Sequence, residues 1–321
     1  LPELDAIVLA VNPLANVRIA GLTAKERAVR VARRVGATRV EVVERAADLV
    51  AWHTNDRPLL VIRADQLVHT PLVAPLVEAL SGSGPLNGIV AAVVPEDPVV
   101  QDLTPGSFAG ALIAVGSGPI ATLVAAIVSG DTALATPALL EGATKIPHGK
   151  IARAPIATPA ERRTAHRVLY QILVKPQDNA ITRYLYRPVS FPLTRLLVWT
   201  PITPNQISYA VAALVAIGCW LTAYASHTMA LVGTIVVLVA SYVDCCDGEV
   251  ARVKLLSSRF GAWIDTVVDE LSSVGYTIAL GWHCHLAFGR NYFGDLTFDP
   301  WLVATVIATA AMLWSIYCIY Y

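Results

Sequence analysis

Beyond about residue 178 the chain largely stops carrying charge, and this limits its fold more than any other feature. Residues 205–225, 227–243 and 300–321 contain no Asp, Glu, Lys or Arg, and 260–286 is interrupted only by Asp265, Asp269 and Glu270. A helix needs roughly 20 apolar residues to cross a bilayer. Four spans are therefore expected, forming an all-α polytopic transmembrane domain. The overall figure of 15% charged residues hides the contrast with the first half, where charges occur throughout.

At 321 residues there is room for two domains. The expected division is a soluble domain over 1–155, a linker with an interfacial helix over 156–200, and the transmembrane domain over 201–321. Formal net charge is zero, so nothing points to nucleic acid. The five cysteines (Cys219, Cys245, Cys246, Cys284 and Cys318) all lie in the second half, and only one pair is adjacent. Free thiols rather than a disulfide framework are expected.

The link between the first two spans, Ser226-His227-Thr228, has no basic residue, whereas the next carries Arg252, Lys254 and Arg259. Basic loops stay on the cytoplasmic side, which places that loop and the N-terminal domain in the cytoplasm, with the plasma membrane as the expected location. Before the first span, residues 182–199 mix Arg183, Arg187 and Arg195 with Tyr184, Leu185, Tyr186, Leu196, Leu197 and Trp199. This composition fits an amphipathic helix in the headgroup region, bent or interrupted at Pro188 and Pro192. Thr203-Pro204-Asn205 then places a proline where the first span would start.

The basic loop is flanked by aspartates at helical spacing. Asp244 and Asp247 project together near the end of one helix, and Asp265 and Asp269 near the start of the next. Carboxylates beside a bilayer cost several kcal/mol or become protonated. Four of them converging make sense if divalent cations neutralise them.

The run Asp244-Cys-Cys-Asp247-Gly248-Glu-Val-Ala251-Arg252, then Gly261-Ala-Trp-Ile-Asp265-Thr-Val-Val-Asp269, resembles the signature of the CDP-alcohol phosphotransferases. Residues 253–260 supply the eight-residue spacer of that signature. The resemblance implies two Mg2+ ions, with Mn2+ as a substitute, held by Asp244, Asp247 and Asp265. Asp269 would serve as general base for an acceptor hydroxyl and would also touch the second ion. Gly248 and Ala251 would leave room for cytidine, Arg252 would steady the acids or a phosphate, and Gly261 would permit a close helix crossing. Asn205, Lys254 and Arg259 are weaker candidates for phosphate. Cys245 and Cys246 are read as packing, as is His283-Cys284-His285 at the far end of the third span. The segment Arg187-Pro-Val-Ser190, Thr194 and Thr203-Pro204-Asn205 resembles the stretch before the family's first span. The family implies six spans and a homodimer among membrane lipid. Because the chain begins at Leu1 and stops in an apolar run at Tyr321, it is expected to be incomplete at both ends.

In the first half, β-rich runs at 6–11, 39–43, 59–62, 89–94 and 112–115 alternate with helical segments. Thr23 with Glu26 forms a capping box, and Gly36 a stop. A mainly parallel sheet with helices on its faces is expected, an α/β nucleotidyltransferase-like domain. Ile19-Ala-Gly21-Leu22, Glu26-Arg27-Ala28 and Ala64-Asp65 resemble the cytidylyltransferase half of fused inositol-phosphate cytidylyltransferase/di-inositol-phosphate-phosphate synthases. The passage Ala160-Glu-Arg-Arg163, Lys175-Pro-Gln-Asp178 and Arg183 resembles their entry into the membrane half. That family has a glycine-rich phosphate loop after its first strand. Here the place reads Leu9-Ala-Val-Asn12-Pro13-Leu-Ala-Asn-Val-Arg18, without glycine and with Pro13 removing an amide donor. The domain is expected to be an inactive cytidylyltransferase.

The expected function is transfer of a phospho-alcohol from a CDP-alcohol to a hydroxyl acceptor of the inositol-phosphate type, releasing CMP. The rivals are a phospholipid synthase using CDP-diacylglycerol, a silent membrane scaffold, and an ion transporter. The transporter would place its acids near the midplane rather than at helix ends. Glu270-Leu-Ser272 departs from the inositol branch, where Arg and a further Asp are usual.

Overall fold

The computed structural model describes residues 3–45, 48–49, 57–134 apart from 83–87, 136–174, 180–294 and 296–320. Lys175-Pro-Gln-Asp178 and Tyr321, used in the sequence reading, lie outside them. Two compact units divide the chain: Leu1–Lys175 with Val253–Leu255, and Pro176–Arg252 with Leu256–Tyr321.

The first unit is α/β. In chain order it contains β1 (Leu4–Leu9), β2 (Arg18–Ile19), β3 (Leu22–Thr23), α1 (Ala24–Arg34), β4 (Ala37–Val43), β5 (Leu59–Arg63), β6 (Gln66–Val68) and α2 (Ala74–Gly82). Then follow β7 (Gly88–Val93), β8 (Phe108–Val115), α3 (Ser117–Val128), α4 (Pro137–Leu140), β9 (Thr144–Pro147), β10 (Arg153–Pro155) and α5 (Pro159–Tyr170). Six strands form one sheet in the order β4-β1-β5-β8-β7-β9.

Successive strand residues face opposite sides, so a sheet buried on both faces needs apolar residues throughout. β1 does this: Leu4, Ala6 and Val8 join a core with Ala28, Val31 and Ala32 of α1, while Ile7 and Leu9 join another with Ile120, Leu123 and Ile127 of α3. The capping box of α1 forms as expected, with Glu26 N donating to Thr23 Oγ1 at 3.2 Å and Thr23 N to Glu26 Oε2 at 2.8 Å.

The sheet is mainly parallel, as expected, with one strand reversed among the six described. β8 runs antiparallel to both β5 and β7. β1 is parallel to β4 and β5, and β7 to β9. Hydrophobic period identifies a strand without giving its direction. α5 falls within the first unit because Ala165, Val168 and Leu169 are buried there.

The second unit is all helical: α6 (Arg187–Val198), α7 (Pro204–Thr222), α8 (His227–Val253), α9 (Arg259–Phe288) and α10 (Pro300–Tyr320). A single wide turn, Thr182–Tyr186, leads into α6, which accommodates Pro192. Among the described residues, three helices are long and apolar enough to cross a membrane: Pro204–Thr222, His227–Val253 and Pro300–Ile319. The fourth expected span, within α9, does not reach that apolarity. Asp265, Asp269, Glu270, two serines and two histidines dilute its 30 residues.

Close helix approach in this unit depends on small residues, as expected where lipid removes the hydrophobic drive. A Cβ on Gly218 of α7 would lie 3.0 Å from the Gly233 carbonyl oxygen of α8. One on Gly233 would lie 2.5 Å from that of Gly218. Gly281 of α9 likewise meets Thr305 of α10 with no room for a side chain.

Candidate active site

α7, α8 and α9 together build the site in the second unit. Thr203 caps α7 through a box with Gln206, with Pro204 at the first helical position. Ser258 caps α9, its Oγ accepting from Gly261 N at 2.9 Å. These two helix starts come close because position 261 has no side chain. A Cβ there would stand 3.0 Å from Asn205 Oδ1 and 3.1 Å from Ser258 Oγ.

Asp244 and Asp247 of α8 and Asp265 of α9 each offer an oxygen, all within 4.8 Å of one another. Asp269, one turn along α9 and exposed, lies within hydrogen-bonding reach of Asp244. The sequence reading missed Ser208 of α7, which is 2% exposed and donates from Oγ to Asp247 Oδ2 at 2.6 Å. Its only signal was its place four residues beyond Pro204, a helical turn from Asn205.

Two cavities flank the acids. One of about 140 Å³ is lined by Asn205, Ser208, Asp247, Gly248, Ala251, Arg252, Gly261 and Asp265, among others. A Cβ on Gly248 would meet only Arg252 Nη1, at 3.4 Å, so its missing side chain serves the cavity rather than helix packing. The other, of about 330 Å³, reaches Asp244 and Asp269 between walls that include Val211, Val215, Val237, Ser241, Ser272 and Tyr276. Neither Lys254, which is 5% exposed, nor the exposed Arg259 lines either cavity.

A divalent cation fits these residues. The donors are all oxygens, which suits Mg2+ or Mn2+ and not the softer preference of zinc. Asp244 Oδ1 is buried with no hydrogen-bond partner among the described residues, which leaves it available to a cation.

Residues 201–320 match the CDP-alcohol phosphatidyltransferase family. All the fixed positions of the signature noted above lie in that stretch, on α8 and α9. Among curated relatives, a bifunctional IPC transferase and DIPP synthase of Aquifex aeolicus is 30% identical over 161 residues, 50% of this chain and 35% of that protein. An archaetidylinositol phosphate synthase of Pyrococcus horikoshii is 35% identical over 102 residues, 29% of this chain and 50% of that protein. The chain spans about a third or less of the length of the bifunctional relatives it matches. A solved 4-diphosphocytidyl-2C-methyl-D-erythritol synthase of Anaerococcus prevotii aligns at 13% identity and TM-score 0.39, over 52% of this chain and 98% of that one.

The first unit has its own aspartate beside a cavity, in a different setting. Asp65 borders a space of about 170 Å³ together with Leu9, Val11, Asn12, Arg63, Thr132 and Ala133. Arg63 grips both oxygens of Asp65, with Nε to Oδ1 at 3.2 Å and Nη2 to Oδ2 at 2.5 Å. The segment after β1 is a short 3-10 turn, Pro13–Asn16. Its amides are engaged internally: Leu14 N donates to Asn12 Oδ1 at 3.0 Å and Ala15 N to Asn12 O at 2.9 Å. Arg18 is exposed.

Proposed function

We propose that the second unit transfers a phospho-alcohol group from a CDP-alcohol to an acceptor hydroxyl and releases CMP. The observation carrying this reading is the convergence of Asp244, Asp247 and Asp265 within 4.8 Å, inside the segment matched to the family. Magnesium, held as two ions by these three acids with Asp269 touching the second, would neutralise charge developing on the departing CMP.

The chain's own groups would do the rest. The cytidine end lies against Gly248 and Ala251, where no side chain obstructs it, and Asn205 and Arg252 face its phosphates. Asp269 takes the proton of the acceptor hydroxyl while the new oxygen–phosphorus bond forms. The phosphoanhydride bond then breaks, and its electron pair leaves with CMP. The acids sit on the two helices that flank the connection whose basic residues favour the cytoplasmic side of a plasma membrane. There a nucleotide has access. Homodimer formation belongs to the same proposal.

For the acceptor, an inositol-phosphate-type alcohol is favoured by the names of the relatives. The apolar wall formed by Val211, Val215 and Val237 next to Asp244 and Asp269 supports a second reading, a lipid-linked substrate such as CDP-diacylglycerol. The first unit, with Asp65 claimed by Arg63 and its β1 turn self-bonded, is proposed to have lost cytidylyl transfer.

The deciding experiment is CMP release by the full chain in detergent with magnesium, offering CDP-inositol and CDP-diacylglycerol separately. Release from one donor that disappears in Asp269→Asn supports the reaction and selects the substrate. No release from either, with acceptor present, removes the reading.

A further inference from the structure

Glu249 belongs to the motif segment, yet none of the chemistry above uses it. It is wholly buried, where an ionised carboxylate is tolerated only when fully partnered. Both of its oxygens are occupied. Oε1 accepts from the Arg187 guanidinium and from Ser190 Oγ at 2.9 Å, and Oε2 from Thr194 Oγ1 at 2.6 Å. Ser190 and Thr194 are themselves 0% exposed. The three donors lie at i, i+3 and i+7 of α6, on one face of that helix. The Arg187 guanidinium also stacks over the Phe191 ring at 5.3 Å, and Cys246, one turn before Glu249, points its Sγ at the Ser190 carbonyl at 3.8 Å.

Glu249 lies two residues past Asp247, about 200° around the helix. α8 therefore presents Asp244 and Asp247 towards α7 and α9 while α6 grips it from behind. We infer that Glu249 is a positioning residue: its clamp to Arg187, Ser190 and Thr194 sets the rotation of α8 at which Asp244 and Asp247 meet Asp265. The inference rests on the reading of those aspartates as cation ligands. A brace that merely held the fold together would contribute to stability and leave cation affinity unchanged, which makes the two roles separable.

The test is direct Mn2+ binding by the full chain in detergent, followed through the free-ion electron paramagnetic resonance signal, alongside the thermal midpoint. Glu249→Gln keeps the shape but turns an amide towards Arg187. It is expected to weaken Mn2+ binding about tenfold, the scale of lost support behind a metal ligand. The double variant Arg187→Gln with Glu249→Gln should recover part of that loss, because no buried cation is left facing an amide. Unchanged affinity in Glu249→Gln, whatever its midpoint, overturns the inference. Should that variant fail to fold, Thr194→Val removes a single donor, and an affinity equal to wild type there overturns it equally. If wild type itself binds no Mn2+, the ligand reading falls first and takes this inference with it, a result visible before any substitution is made.

Discussion

Asp65 in the first unit and Asp247 in the second each border a cavity, yet their settings differ. Asp65 is neutralised within its own unit by Arg63, two residues away, while the motif aspartates face one another, Asp247 accepting from the Ser208 hydroxyl and the Gly248 amide. Converging acids are costly unless a cation joins them. An acid already paired has little left to offer a cation. The chemistry of a carboxylate is thus decided by the neighbour that claims it.

The largest effect should come from Asp269→Asn, which removes the proposed base. CMP release is expected to fall by roughly 100- to 10,000-fold while the protein stays folded. Retained turnover would place the proton acceptor elsewhere. Ser208→Ala strips Asp247 of its hydroxyl partner and should weaken Mn2+ binding by about tenfold, measured by titration of the free ion.

A third prediction concerns pH and belongs to the first unit alone. Burial, aided by Arg27 and Arg34, pushes the His69 imidazole down to about 4, against about 6.5 in an unfolded chain. Between those values the unfolded chain binds the proton and the folded unit does not. Stability is therefore complete above pH 6.5 and is lost as pH falls towards 4, by up to about 3 kcal/mol. Hydrogen exchange of the sheet amides in the full chain, compared at pH 7.5 and 5, should show the loss, and His69→Phe should flatten part of it. Burial also lowers His148 and His166, so the flattening will be partial.

The smallest effect is the one that most directly probes the comparison. Arg63→Ala frees Asp65 from a partly exposed pair worth at most about 1 kcal/mol. If the pairing is what silences this aspartate, the variant should acquire a weak Mn2+ site beyond those of wild type, seen as a higher binding stoichiometry. An unchanged stoichiometry would show that the self-bonded turn after β1 already closes the site.

The membrane site was legible because helical spacing is a local rule. Asp244 with Asp247, and Asp265 with Asp269, could be assigned to common faces without knowing where any other residue lay. Gly261 was legible for a similar reason, since a glycine at a helix start signals close approach. Partners from remote segments were not. Ser208 lies 39 residues from Asp247, and Arg187 lies 62 from Glu249. Glu249 drew no assignment because the sequence cannot say what packs behind a helix. In the first unit, the strands of β1, β5 and β8 were visible in their apolar runs, but the reversal of β8 is a property of topology. In α9 the sequence counts a span that apolarity alone does not single out, because acids, serines and histidines dilute a helix of 30 residues.

The close Gly218–Gly233 crossing acts on α7 and α8 as a rivet does on a pair of blades. Asp247 lies 14 residues beyond Gly233, a lever arm of about 21 Å. A change of about 10° in the crossing angle would swing Asp247 through roughly 4 Å, farther than the reach of the Ser208 hydroxyl. Packing against neighbours sets the tilt of a membrane helix, so a side chain added at Gly218 or Gly233 would be felt at the acidic end of the blades.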